Sequence, residues 1–430
     1  GLFDELGPEL AVKIAQAVGI YFKRGKIIVA KDCRLTGDVL RSAVVSGLAS
    51  VGCEVVDLGT ASAPTAEYMV KNLKAAGCII ISASHNPPEW NALKVVDGTG
   101  VAVSSERGEQ IEKLMDNAEV AGWDKVGRMT YYDMAASDHI DAIKKLVDTE
   151  KIRKKKLKIV LDCGNGTASV IAPKLFKDLG AEIMTLNSHL DGRFPGRPSE
   201  PTEKNVKELM AAVKSRKADA GIAWDADGDR VIFVDENGSY VIGDKVYALS
   251  VMWKLAVKKG DVVTTVATSR AIEDVASKFG SKVRYTAIGA PYLCEEMVKR
   301  PAAIGGEEVG GVIWPELSLA KDGMLTAAKL AEALCEKKLS AWVAEIPEYH
   351  NVKLRIKADE KKEIVGRVLK HAKNKKLNHI TVDGVRINFK DSWVICRPSG
   401  TEPYVRIFAE ARSRDEAEKL ATEYEKIAKG

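Results

Sequence analysis

Apolar positions fall into short unbroken runs separated by longer amphipathic stretches, and the same cadence occurs three times. Lys26-Ile27-Ile28-Val29-Ala30 leads to an amphipathic stretch closing on Leu48-Ala49-Ser50-Val51-Gly52, then to Cys53-Glu54-Val55-Val56-Asp57. The second copy joins Lys158-Ile159-Val160-Leu161-Asp162, Leu175-Phe176-Lys177-Asp178-Leu179-Gly180 and Glu182-Ile183-Met184-Thr185-Leu186. The third joins Val262-Val263-Thr264-Thr265-Val266, Val275-Ala276-Ser277-Lys278-Phe279-Gly280 and Lys282-Val283-Arg284-Tyr285. Apolar runs without alternation predict strands covered on both faces, and interposed helices predict largely parallel α/β layers. Gly52, Gly180 and Gly280 stand where a left-handed residue would close each helix.

After about Trp342 the order changes to a strand-like Val352-Lys353-Leu354-Arg355-Ile356, a helix from about Lys361 to Ala372, two more strands and a closing helix. The reading is therefore an α/β chain of three similar domains with mainly parallel, mixed sheets, over residues 1–134, 135–238 and 239–342, plus a smaller C-terminal α+β domain over 343–430. A length of 430 residues agrees, because one core rarely serves more than about 250–300 residues.

Composition narrows the function. With 46% hydrophobic and 29% charged residues the chain can bury extensive cores, which excludes disorder. A net charge of +5 is too small for a nucleic-acid-wrapping surface and favours small anionic partners. The dense basic run Arg153-Lys154-Lys155-Lys156 reads as a solvated connection. Seven cysteines lie scattered, several inside apolar runs, so neither a zinc site nor a disulfide framework is expected and a reducing cytoplasm is the expected compartment. No apolar stretch reaches the ~20 residues of a membrane span, and no signal peptide is expected.

Four loops carry candidate chemistry. Ser82-Ala83-Ser84-His85-Asn86-Pro87-Pro88 follows an apolar strand, and its two prolines force an exposed turn. A serine there can be a nucleophile or, once phosphorylated, a phosphoryl donor; the competing reading is a hydrogen-bonded turn. Lys94, a few residues on, could neutralise a phosphate or move a proton. In Asp225-Ala226-Asp227-Gly228-Asp229-Arg230, three alternate carboxylates between apolar runs make an oxygen-only site of the kind Mg²⁺ takes, since like charges so close repel without a cation. An EF-hand is excluded because its sixth position would be Arg230, where glycine is required, and because the second half reads as a strand. An aspartate phosphatase with Asp225 as nucleophile and Asp227 as acid is a rival that leaves the serine loop without a role.

Gly305-Gly306-Glu307-Glu308-Val309-Gly310-Gly311 lets backbone approach a ligand and offers carboxylates to vicinal hydroxyls, or is a plain glycine-rich hairpin. Arg397-Pro398-Ser399-Gly400-Thr401-Glu402-Pro403, with Arg406, combines guanidinium forks, hydroxyls and an opened backbone, a phosphate cradle.

Together and in this order, the four loops resemble the α-D-phosphohexomutase superfamily of phosphoglucomutase, phosphomannomutase and phosphoglucosamine mutase, over essentially the whole chain. The resemblance implies four domains around a central cleft and interconversion of hexose 1- and 6-phosphates of glucose or mannose, with glucosamine phosphate as the near alternative. It implies a phosphorylated Ser84 sharing Mg²⁺ with Asp225, Asp227 and Asp229, and glucose or mannose 1,6-bisphosphate as intermediate and activator. Lys94 and His85 would move protons, Arg230 would spread phosphoryl charge, and Glu307 would accept the 3- and 4-hydroxyls. Arg397, Ser399, Gly400, Thr401 and Arg406 would hold the phosphate that is not reacting. The expected partner is a small sugar phosphate rather than nucleic acid or membrane; self-association into a homo-oligomer stays open.

The chain departs from the family pattern at its start, Gly1-Leu2-Phe3-Asp4-Glu5-Leu6-Gly7, where a Phe-Gly-Thr-type segment ending in Arg-Gly is usual. Val309 replaces a polar residue, and Lys31-Asp32-Cys33-Arg34 stands for Gly-Arg-Asp-x-Arg while keeping Asp32 and Arg34. These departures motivate a further rival, a sugar-phosphate-binding relative without turnover.

Overall fold

The computed structural model describes residues 1–399 and 403–430. The first sheet orders its strands Leu93–Asp97, Gly77–Ile81, Lys26–Lys31, Glu54–Thr60, Met129–Tyr131, parallel except for the first. The second orders Tyr240–Val241, Val231–Asp235, Ala220–Trp224, Lys158–Asp162, Glu182–Leu186, with its last three parallel. The third orders Val283–Thr286, Val262–Thr265, Ile304–Gly306, Val312–Ile313, antiparallel only at its final pair. These are the three mixed, mostly parallel α/β domains of the sequence pattern. Gly52, Gly180 and Gly280 do close their helices, at φ +96°, +86° and +67°.

The fourth sheet is antiparallel throughout: His350–Lys357, Tyr404–Ala411, Trp393–Pro398, Val385–Asn388, His379–Ile380. Four strands follow the helix Lys361–Asn374 where the pattern predicted two, because His379–Ile380 and Val385–Asn388 are too short to show as apolar runs. The basic run is also corrected: Arg153, Lys154 and Lys155 form the exposed last turn of the helix Thr149–Lys155 rather than a connection. Among the described residues no helix is long and apolar enough to cross a membrane, and all seven cysteines are free.

The cores explain how the domains are held. In the first domain the helix Gly37–Ser50 packs on Pro8–Tyr21 at such close range that a Cβ on Gly47 would lie 2.6 Å from the Val12 carbonyl. The second and third domains share one apolar core through Trp224, Tyr247, Trp314 and Leu325, all essentially inaccessible to solvent. The fourth domain has its own core and meets the third at a smaller seam of Val266, Trp393 and Ile395.

Candidate active site

The serine loop begins where the buried strand Gly77–Ile81 ends. Ser84 has a left-handed backbone, φ 51°, a conformation that a non-glycine residue holds only when its surroundings over-determine it. Arg34 supplies much of that constraint. Almost fully buried, it donates to the carbonyls of Ser84 and Asn86 at 2.7 Å each, to Trp90 at 3.0 Å, and to Pro87. Its Nε is held by Asp32 Oδ2 at 3.0 Å, and Ser82 Oγ donates to the same oxygen at 2.7 Å while accepting the Ser84 N–H at 3.0 Å. From the second domain, Ser199 Oγ lies 2.6 Å from the His85 carbonyl. Burial raises the Asp32 carboxyl above its ordinary range although Arg34 lies against it.

The acidic loop follows the fully buried strand Ala220–Trp224. Asp225 Oδ1 accepts the N–H groups of Gly228 (3.1 Å) and Arg230 (3.2 Å), which folds the turn on itself. Its Oδ2 accepts Ser84 Oγ–H at 2.9 Å, so the two loops meet at that oxygen. Asp227 Oδ2 accepts Lys94 Nζ at 2.5 Å, and Asp229 Oδ2 lies 3.0 Å from Lys321 Nζ. The other oxygens, Oδ1 of Asp227 and Oδ1 of Asp229, are buried without a hydrogen-bond donor. One oxygen from each of the three carboxylates lies within 4.8 Å of the others. Burial of acceptors without donors is costly, and a hard divalent cation among them removes that cost, so the donor set fits Mg²⁺. Burial, and then Asp227 and Asp229, push the Asp225 carboxyl well up. Burial acts the same way on Asp229, but Lys321, Lys94 and Arg230 outweigh it and hold that carboxyl below the usual range.

The glycine-rich loop is stitched to the acidic one. Gly310, at φ +84°, passes so close to the exit of the acidic loop that an added Cβ would lie 2.2 Å from the Val231 carbonyl. Its own carbonyl accepts Val231 N–H at 3.2 Å. Glu307 is buried, its Oε1 2.6 Å from Lys321 Nζ, and Glu308 turns away to accept Thr265 Oγ1–H at 3.2 Å.

The serine and acidic loops, with Ala290, Cys294 and Lys321 of the third domain, bound a cavity of about 1150 Å³, lined on its polar side by Ser84, His85, Lys94, Asp229, Arg230 and Lys321; Glu307 is not among its lining residues and reaches it through Lys321. His85 is partly covered, its side chain 43% exposed, with Nδ1 3.8 Å from Glu200 Oε2, and the same oxygen accepts Arg230 at 3.0 Å. Burial against the loop and the Arg230 charge hold the His85 imidazole below its ordinary pKa. Lys321, Glu200 and the cavity-lining Glu67 were not foreseen. Each is a single charged residue outside any motif, and only the fold brings it to the site.

The fourth-domain residues stand apart. Arg355, Arg406 and Arg397 sit directly opposite one another across three antiparallel strands, a row of like charges that favours a bound anion. Arg397 pairs with Asp383 at 3.0 Å, and Ser399, buried, donates its N–H to Tyr404 O at 2.8 Å. Gly400 and Thr401 lie outside the described residues. Arg397, Ser399 and Arg406 are not among the residues lining the cavity around Ser84. Described hydrogen bonds tie this domain to the third, among them Arg386 to Val266 O at 2.7 Å and Arg270 N–H to Glu410 at 2.8 Å.

Comparison with known proteins agrees with this geometry. The chain matches phosphoglucomutase/phosphomannomutase alpha/beta/alpha domain I over residues 2–121, domain II over 137–238, domain III over 242–349 and the C-terminal domain over 338–427. A phosphoglucomutase/phosphomannomutase of Thermococcus kodakarensis is 39% identical over 425 residues, covering 96% of this chain and 93% of that protein. A phosphoglucosamine/phosphogalactosamine mutase of Sulfurisphaera tokodaii is 36% identical over 440 residues, covering 99% of this chain and 96% of that protein. The crystal structure of a phosphoglucomutase/phosphomannomutase family protein from Burkholderia thailandensis superposes with a TM-score of 0.90 at 26% identity, covering 100% of this chain and 95% of that one.

Proposed function

The chain belongs to the phosphoglucomutase/phosphomannomutase family, and from that premise we propose that it interconverts glucose or mannose 1- and 6-phosphates through a phosphorylated Ser84 and a hexose 1,6-bisphosphate. The observation that carries the reading is the 2.9 Å contact of Ser84 Oγ, on the wall of a cavity lined by three domains, with the buried Asp225 Oδ2 behind it. It fits a phosphoryl donor held against a divalent cation far better than an isolated turn.

The residues then divide the work. Asp225, Asp227 and Asp229 would hold Mg²⁺, which supplies positive charge against the phosphoryl oxygens. The sugar hydroxyl oxygen forms its bond to phosphorus as the bond from phosphorus to Ser84 Oγ breaks, and the hydroxyl proton passes to a base. His85 suits that base, because its environment favours the neutral imidazole. Lys94, committed to Asp227 at 2.5 Å, suits charge neutralisation better than proton abstraction, and Arg230 adds a second fixed cation. Glu307 keeps an oxygen for vicinal sugar hydroxyls. Arg397, Ser399 and Arg406, with Gly400 and Thr401, hold the distal phosphate. The bisphosphate then reverses in the cleft and returns its other phosphate to Ser84.

A phosphoglucosamine substrate is the second reading. It is favoured by the Sulfurisphaera relative's name. Glucose, mannose and glucosamine 1-phosphates, assayed side by side with the matching 1,6-bisphosphate, decide the matter. Turnover of glucose or mannose phosphate is expected, preference for glucosamine phosphate selects the second reading, and silence on all three removes both.

A further inference from the structure

Both lysines at the acidic loop hold one of its carboxylates, but Lys321 also reaches a different loop. Lys94 gives its ammonium to Asp227, whereas Lys321 Nζ lies 3.0 Å from Asp229 Oδ2 and 2.6 Å from Glu307 Oε1, its side chain only 7% exposed. One ammonium therefore serves a carboxylate of the acidic loop and a carboxylate of the glycine-rich loop at once.

Its position is built by three domains. The next residue, Asp322, caps the helix Gly323–Leu334 by accepting the N–H groups of Met324 and Leu325 on Oδ1 at 2.9 Å each. Asp322 Oδ2 meets His139 Nε2 at 2.9 Å, and His139 Nδ1 meets Thr65 Oγ1 at 2.9 Å, all in a solvent-excluded chain. Gly323 is pressed so tightly on the acidic loop that a Cβ there would lie 2.7 Å from the Gly228 carbonyl. The backbone from which Lys321 projects cannot move independently of the acidic loop, so the sharing of its ammonium depends on the balance between Asp229 and Glu307.

Resting on the reading of the aspartates as the cation site and of Glu307 as the sugar acceptor, we propose that Lys321 is a shared counter-cation that couples occupancy of the divalent-cation site to the state of the sugar loop. An ammonium on Asp229 competes with a divalent cation for that carboxylate. Withdrawing Glu307 leaves the ammonium to Asp229 alone and sharpens the competition. By linkage, a cation on Asp229 drives the ammonium toward Glu307, so each site senses the other without contact between their ligands. Lys321 is a positioning residue in this scheme, acting through two carboxylates.

Mn²⁺ binding to the full chain without sugar, followed by electron paramagnetic resonance, gives a readout independent of turnover. Lys321→Met is expected to tighten Mn²⁺ binding at least about fivefold, and Glu307→Gln to weaken it about threefold although Glu307 does not touch the cation site. In the double variant the effect of Glu307→Gln is expected to fall below about 1.5-fold, as a shared intermediary requires. Equal effects of Glu307→Gln with and without Lys321 would show a through-space field and overturn the proposal. Should Lys321→Met fail to fold by circular dichroism, Lys321→Gln takes its place in the same comparison, and unchanged Mn²⁺ affinity in Glu307→Gln overturns the coupling. Failure of the underlying reading looks different: the unaltered protein binds no Mn²⁺, or binds it equally after Asp227→Asn.

Discussion

The cavity around Ser84 and the arginine row of the fourth domain are built on opposite plans. Around Ser84, charged groups from three domains are buried and bonded to one another, with Arg34, Asp32, Ser82 and Ser199 fixing the serine loop and Lys94 and Lys321 fixing the carboxylates. In the fourth domain three arginines stand in one row across an antiparallel sheet, with Arg397 paired to Asp383, and among the described residues that sheet leans on the third domain. On the proposed reading the difference suits two tasks: bond exchange needs preorganised charge, whereas a substrate that must reverse its orientation needs a grip that can open and close.

The comparison is broken most sharply at Ser84. Ser84→Ala is expected to lower mutase turnover by at least about 10⁴-fold, while Asp225→Asn in a phosphatase mechanism would stop a phosphate release that survives Ser84→Ala. Removal of divalent cations with a chelator is expected to abolish turnover, with recovery on adding Mg²⁺; turnover that persists in chelator excludes the cation site. Arg34→Met leaves Asp32 buried without its cation and frees four carbonyls of the serine loop. The expected cost is about 3–5 kcal/mol in urea unfolding, not recovered by Arg34→Lys, whose single ammonium cannot reproduce the fork.

On the other side of the comparison, Arg397→Ala is expected to raise KM about tenfold with a smaller change in kcat, because it removes binding common to ground and transition states. The seam between the third and fourth domains gives the smallest effect. Arg386 donates to Val266 O and stacks within 4.5 Å of the Tyr285 ring centroid and 4.3 Å of the Trp393 ring centroid. Arg386→Met is expected to widen the distribution of radii in small-angle scattering with little loss of melting temperature in the first three domains; an unchanged profile would show that the seam is not what orients the fourth domain.

Much of this was legible in the chain because it is local. Unbroken Val and Ile runs with glycine-ended helices specify buried parallel strands, and Asp225, Asp227 and Asp229 declare themselves by spacing within a single turn. Lys321, Glu67 and Glu200 did not, since a lone charged residue acquires meaning only when distant strands bring it to a cavity. Arg34 was visible as a motif remnant, but its role required seeing four carbonyls curl around one guanidinium. The short strands His379–Ile380 and Val385–Asn388 were missed because pairing, not composition, makes them strands.

The central claim is a phosphoryl group carried on residue 84. Incubation of the protein with glucose 1,6-bisphosphate, followed by peptide-resolved mass spectrometry under conditions that preserve both phosphoserine and acyl phosphate, tests it most directly. The account requires a phosphate adduct on the Ser84 peptide that is absent from Ser84→Ala; an adduct on Asp225, or none at all, contradicts it.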